Sequence, residues 1–110
     1  MIRSEERDGH LVVRIDHQRF DAAFVPTFRA EMERLLAAGH RHLVLDLAAV
    51  EFMDSSGLGA LVAVLKRLGD PARLPVCGVR GPVAKLIRLT HLDKVLRLHD
   101  DVAHALSFSD

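Results

Sequence analysis

Phe52-Met53-Asp54-Ser55-Ser56-Gly57-Leu58-Gly59 is the stretch on which the fold turns. Upstream of it, residues 42–47 are nearly continuously apolar, as a strand buried on both faces is. Downstream, residues 56–68 place Leu58, Leu61, Val62, Leu65 and Leu68 on one helical stripe. A strand therefore enters a helix through two adjacent hydroxyls, a carboxylate and two glycines. Free backbone N–H groups and the positive end of the helix dipole gather at such a start. The place suits a phosphoryl group, or a partner that must come close to the backbone. A plain helix cap needs less: Asp54 or Ser55 alone serves as N-cap, worth ~1 kcal/mol against alanine. Gly57 and Gly59 in the first turns each cost roughly 1 kcal/mol relative to alanine. Residue chemistry leaves both readings open, a bare cap and a site.

Outward from this run the chain alternates strands and helices. Residues 11–15 form a β-branched strand introduced by the turn signal Asp8-Gly9, and Ile2-Arg3-Ser4 pairs with it as a short hairpin. Residues 16–20 read as a connection. Asp21 or a neighbour opens a helix to about Ala38, with Phe24, Phe28, Met32, Leu35 and Leu36 at helical spacing and Gly39 as its stop. On its solvent side, Glu31/Arg34 and Arg29/Glu33 are spaced as ion pairs. Residues 74–79 read as a buried strand carrying Cys77. Gly81-Pro82 begins a third helix, residues 95–98 a short strand, and Asp100 or Asp101 caps a last helix over 102–106. The order is β-β-α-β-α-β-α-β-α. It implies an α/β fold in which a small mixed sheet with parallel crossovers packs against four helices. Short connections make residues 1–110 one domain.

Composition narrows the function. Hydrophobic residues make up 49% and charged residues 27%, which describes a globular chain. Fifteen basic residues balance fifteen acidic ones, so sequence-independent nucleic-acid binding is not expected. The single cysteine excludes an intrachain disulfide, and the charged start 1–8 lacks the apolar stretch of a signal peptide. The apolar run 58–65 is too short to span a bilayer. A cytoplasmic protein without membrane insertion is the expectation. The glycines lack the third position of a dinucleotide fingerprint and the lysine of a P-loop. No Gly-x-Ser-x-Gly elbow surrounds Ser55 or Ser56. The seven histidines show no helical i,i+4 pair, so no metal and no cofactor is expected.

The run 52–59 resembles the signature of the anti-sigma factor antagonists, the single-domain STAS proteins of bacterial partner switching. The resemblance extends to residues 41–47, to Pro75–Val79, to Val83–Leu86 and to Leu92–Leu96, and covers about residues 10–106. It implies a binding protein rather than an enzyme. The unphosphorylated form would bind an anti-sigma factor that is also a serine kinase, and so control sigma-factor-dependent transcription. Phosphorylation would separate the pair, and a serine phosphatase would reset it. The matching phosphoacceptor is Ser55, with Ser56 as second choice; Asp21, Asp54, Ser55, Ser56, Gly57, Leu58 and Gly59 match the partner-binding surface. Many members carry Gly-x-Leu-Asp before the first helix; here the segment is Gln18-Arg19-Phe20-Asp21, which keeps the aspartate and lacks the glycine. STAS domains also serve as accessory subunits of ABC-type lipid transporters and in other signalling complexes without a phosphorylation cycle, which is the alternative role.

Overall fold

The computed structural model describes residues 1–108; the last two residues of the expected 1–110 domain lie outside them. Strands β1 (Ile2–Arg7) and β2 (His10–Ile15) form an antiparallel hairpin around Asp8-Gly9. Then come β3 (Arg19–Phe20), helix α1 (Val25–Ala37), β4 (Leu43–Asp46), β5 (Phe52–Met53) and helix α2 (Ser55–Leu68). Strand β6 (Val76–Cys77), helix α3 (Gly81–Leu89), β7 (Leu98–His99) and helix α4 (Val102–Ser107) complete the fold. The main sheet runs β1-β2-β4-β6-β7, with every pair after the hairpin parallel. The mixed sheet and its four helices are as the sequence implies.

The connectivity decides which face each helix covers. The chain steps in one direction from β2 to β4 to β6 to β7, and parallel crossovers have a fixed hand. Helices α1, α2 and α3 must therefore lie on the same face. Strand alternation agrees: Leu11, Val13, Ile15, Leu43, Leu45 and Leu47 join Phe28, Met32, Leu61, Ile87 and other helix residues in the larger core. Val12, Val44 and Cys77 point the other way and pack with Val102, Ala105 and Leu106 of α4. The central strand β4 is thus buried on both faces, as its continuous apolar run requires.

Four sequence expectations need correction. The order β-β-α-β-α-β-α-β-α lacks β3 and β5, which pair in parallel as a separate two-stranded ribbon. Residues 16–20 are therefore not merely a connection. The hairpin is longer than Ile2-Arg3-Ser4, because β1 pairs along all six of its residues. The last strand is Leu98–His99 rather than 95–98; Leu92–Lys94 is a 3-10 turn and Val95 is exposed. Asp21 caps a turn ahead of α1, which begins at Val25. Among the described residues, no helix is long and apolar enough to cross a membrane.

Cys77 sits in the rear core next to Asp46. Burial, reinforced by the Asp46 and Asp101 charges, pushes its thiol up to about 12. The ordinary value is 9.0, so its thiolate fraction near neutral pH falls about a thousandfold. Native protein is therefore expected to resist a thiol-specific chromogenic reagent, and to release one full equivalent of colour once unfolded in guanidinium chloride. Fast labelling of the native protein would show that α4 does not stay docked.

Candidate functional site

The run 52–59 lies at the joint between the small β3–β5 ribbon and α2. The Gln18 carbonyl accepts from the amides of Glu51 (2.8 Å) and Phe52 (3.1 Å), which draws the two segments together. Asp54 has the extended backbone of an N-cap, with φ −106° and ψ −176°. Its Oδ1 accepts from the Gly57 amide at 2.9 Å, closing the first turn of α2. Its Oδ2 accepts from the Ala22 amide at 3.3 Å, in the segment between β3 and α1. One carboxylate thus holds two pieces of chain 32 residues apart. The match that capping statistics suggest, a side chain serving only its own helix, understates Asp54.

Asp21 stands beside it. Its Oδ1 accepts from the Phe24 amide and its Oδ2 from Arg19 Nε, both at 3.2 Å. Partial burial alone would raise its carboxyl, but the bonds from Arg19 and the Phe24 amide, with the Arg19 charge, outweigh burial and hold it below the usual aspartate value. The same guanidinium lies 4.3 Å from the centroid of the Phe52 ring, which is partly exposed. Arg19 and Phe52 therefore form the rim next to Asp21, a pairing that sequence spacing does not reveal.

The two glycines have different reasons to exist. Gly57 is buried, and a Cβ there would stand 2.2 Å from the Phe20 carbonyl oxygen and 2.8 Å from its ring. Its smallness serves the chain's own backbone. Gly59 is exposed, and a Cβ there would meet nothing within 4 Å. Nothing inside the fold requires a glycine at 59. Leu58 points into the main core. Of the residues matched to a partner surface, the structure thus brings Ser55, Ser56 and Gly59 to one exposed area, leaves Asp54 and Asp21 half-buried in the joint beside it, and turns Gly57 and Leu58 inward.

Ser55 is the first residue of α2, and Ser56 follows it. Both are exposed, and neither hydroxyl has a hydrogen-bond partner among the described residues. Both line an open cavity of about 420 Å³ with Ala22, Val25, Pro26, Gly59, Ala60 and Arg29. Arg29 is a member of this site that the sequence reading assigned elsewhere. The only signal for it is its helical spacing from Val25 and Pro26, which puts these three on the α1 face beside α2, while Ala22 joins from the turn ahead of the helix. A free hydroxyl at a helix start, with no acid or base bonded to it, is open to modification by an outside catalyst.

A family model for the STAS domain matches residues 1–105. An anti-sigma F factor antagonist of Paenibacillus polymyxa is 31% identical over 112 residues, which span 96% of this chain and 92% of that protein. Among solved structures, an anti-sigma factor antagonist from Mycobacterium paratuberculosis superposes with a TM-score of 0.86 at 33% identity, over 97% of this chain and 91% of that one. The Bacillus cell fate determinant SpoIIAA, in its phosphorylated form, has the same fold at a TM-score of 0.68 and 18% identity, over 93% and 92% of the two chains.

The glycines give a test of opposite signs. Gly57→Ala forces a methyl against the Phe20 carbonyl, and overpacking of this kind costs about 1–3 kcal/mol. Gly59→Ala meets no neighbour and gains helix propensity of up to about 1 kcal/mol. Urea denaturation should therefore show a lowered midpoint for the first and an unchanged or raised midpoint for the second. Equal destabilisation by both would contradict the packing described.

Proposed function

The chain belongs to the STAS domain family, and we propose that it acts as an anti-sigma factor antagonist switched by phosphorylation of Ser55. The observation that carries this reading is the exposed, unpartnered Ser55 hydroxyl at the head of α2, beside a carboxylate already occupied by two backbone amides. The near full-length similarity to an antagonist of Paenibacillus polymyxa supports the general role. That SpoIIAA exists in a phosphorylated form supports the switch.

The unphosphorylated protein docks an anti-sigma factor with serine kinase activity over Asp21, Asp54, Ser55, Ser56 and Gly59. The exposed Gly59 lets the partner approach the α2 backbone. Within the complex the kinase transfers the γ-phosphoryl group of ATP to Ser55 Oγ; the P–O bond to ADP breaks, and the hydroxyl proton leaves to the kinase's base. The product carries about −1.5 to −2 additional charge at pH 7. The start of α2 tolerates that charge inside the protein. Against a packed partner, with Asp54 and Asp21 adjacent, it adds repulsion and a desolvation cost. Binding is lost without refolding, and a serine phosphatase restores the starting state. The Asp54 clamp matters here because it fixes the segment that bears Asp21 to the helix that bears Ser55. The two halves of the docking surface stay in register through the cycle.

Incubation with the cognate kinase and ATP should add one phosphate, mapped to Ser55 by mass spectrometry, and Ser55→Ala should abolish it. Ser55→Asp should keep the wild-type circular dichroism spectrum while weakening kinase binding about tenfold or more, equivalent to ~1.4 kcal/mol. Undiminished labelling of Ser55→Ala would move the acceptor to Ser56. Unchanged affinity of Ser55→Asp would remove the electrostatic switch.

A further inference from the structure

Arg29 lies on the exposed side of α1 and lines the cavity that holds Ser55 and Ser56. Sequence spacing pairs it with Glu33, but the Glu33 carboxylate is taken by Arg67 of α2 at 2.5 Å. Several other arginines are committed. Carboxylates hold Arg14, Arg19 and Arg34, and backbone carbonyls hold Arg41 and Arg80. Arg29 has no ion-pair partner among the described residues. The remaining walls of its cavity, Ala22, Val25, Pro26, Gly59 and Ala60, bring no competing charge. An unpaired guanidinium thus shares one small cavity with two free hydroxyls, and its planar fork matches the oxygens of a phosphate.

We infer that Arg29 receives the phosphate once Ser55 carries it, forming an ion pair between α1 and α2 within the same chain. The inference rests on Ser55 as the phosphoacceptor and adds the residue that reads the modification. In the unphosphorylated protein Arg29 presents its cation to the docking partner. In the phosphorylated protein that cation is occupied. One modification therefore removes two features of the surface together, a free hydroxyl and a free positive charge. Arg29 is a positioning residue, since it sets where the phosphate lies.

The test uses protein with phosphoserine inserted at position 55 during translation, so that no kinase is needed. Phosphorus NMR then follows the second ionisation of the phosphate with pH. A neighbouring guanidinium favours the dianion and the Asp54 and Asp21 charges beside Ser55 oppose it, so the assignment is read from the difference in midpoint between the wild-type chain and the Arg29 variants. Arg29→Gln should raise the midpoint by about half a unit or more. Arg29→Lys, which keeps the charge, should recover part of that difference. Arg88→Gln makes the same charge change on the exposed side of α3, outside the cavity, and should leave the midpoint in place. Equal midpoints for the wild type and Arg29→Gln, or an equal shift for Arg88→Gln, would overturn the assignment. Failure of the kinase to label Ser55 is a separate result: it would overturn the choice of acceptor and leave this titration to judge Arg29 on its own.

Discussion

The contact between α2 and the Phe20 carbonyl constrains everything else at this end of the molecule. No side chain fits at residue 57, so the helix start can press directly on β3. The Phe20 ring, fully buried, extends the same contact inward to Phe24 and Phe28 of the α1 region, with ring centroids 5.6 and 4.7 Å away. Asp54 then closes the joint with one bond to each side. Because the helix is located by its own backbone and the Asp54 carboxylate, the hydroxyls of the two serines that open it have no hydrogen-bonding duty among the described residues. That separation frees a hydroxyl for chemistry without weakening the fold.

How far the sequence reveals this depends on the length of each element. β4 and α2 carry enough residues for their hydrophobic patterns to be read, and their ends fall within a residue or two of expectation. β3, β5, β6 and β7 are two residues each, and two residues contain no period. Their pairing comes from the main-chain bonds of the surrounding fold, such as the Gln18 carbonyl, and leaves little mark in side-chain pattern. Placing the last strand too early illustrates the point: Val95, Leu96 and Leu98 look like a strand, while the sheet accepts only Leu98 and His99.

The candidate site divides along the same line. Ser55, Asp54 and Asp21 are legible because they belong to a local motif or match one. The distinct duties of Gly57 and Gly59 are not, since both look alike until the neighbour of each is known. Nor is the freedom of Arg29. Local spacing names Glu33 as its partner, and the tertiary approach of Arg67 reassigns that carboxylate. Pairing rules within a helix describe an isolated helix, and a packed neighbour supplies competitors for the same oxygen atoms.

The one-directional march of the parallel strands has a further consequence, in the order of synthesis. Because α1, α2 and α3 all fall on one face, the other face of β2, β4 and β6 waits for α4. A growing chain makes those strands first and their cover last. While the chain emerges, Val12, Val44 and Cys77, which end with no exposed surface, stay open to the surroundings. Nascent chains of this protein would thus carry a sticky rear sheet until residues 102–106 have emerged, and this interval, rather than the finished fold, is where association between unfinished copies is favoured.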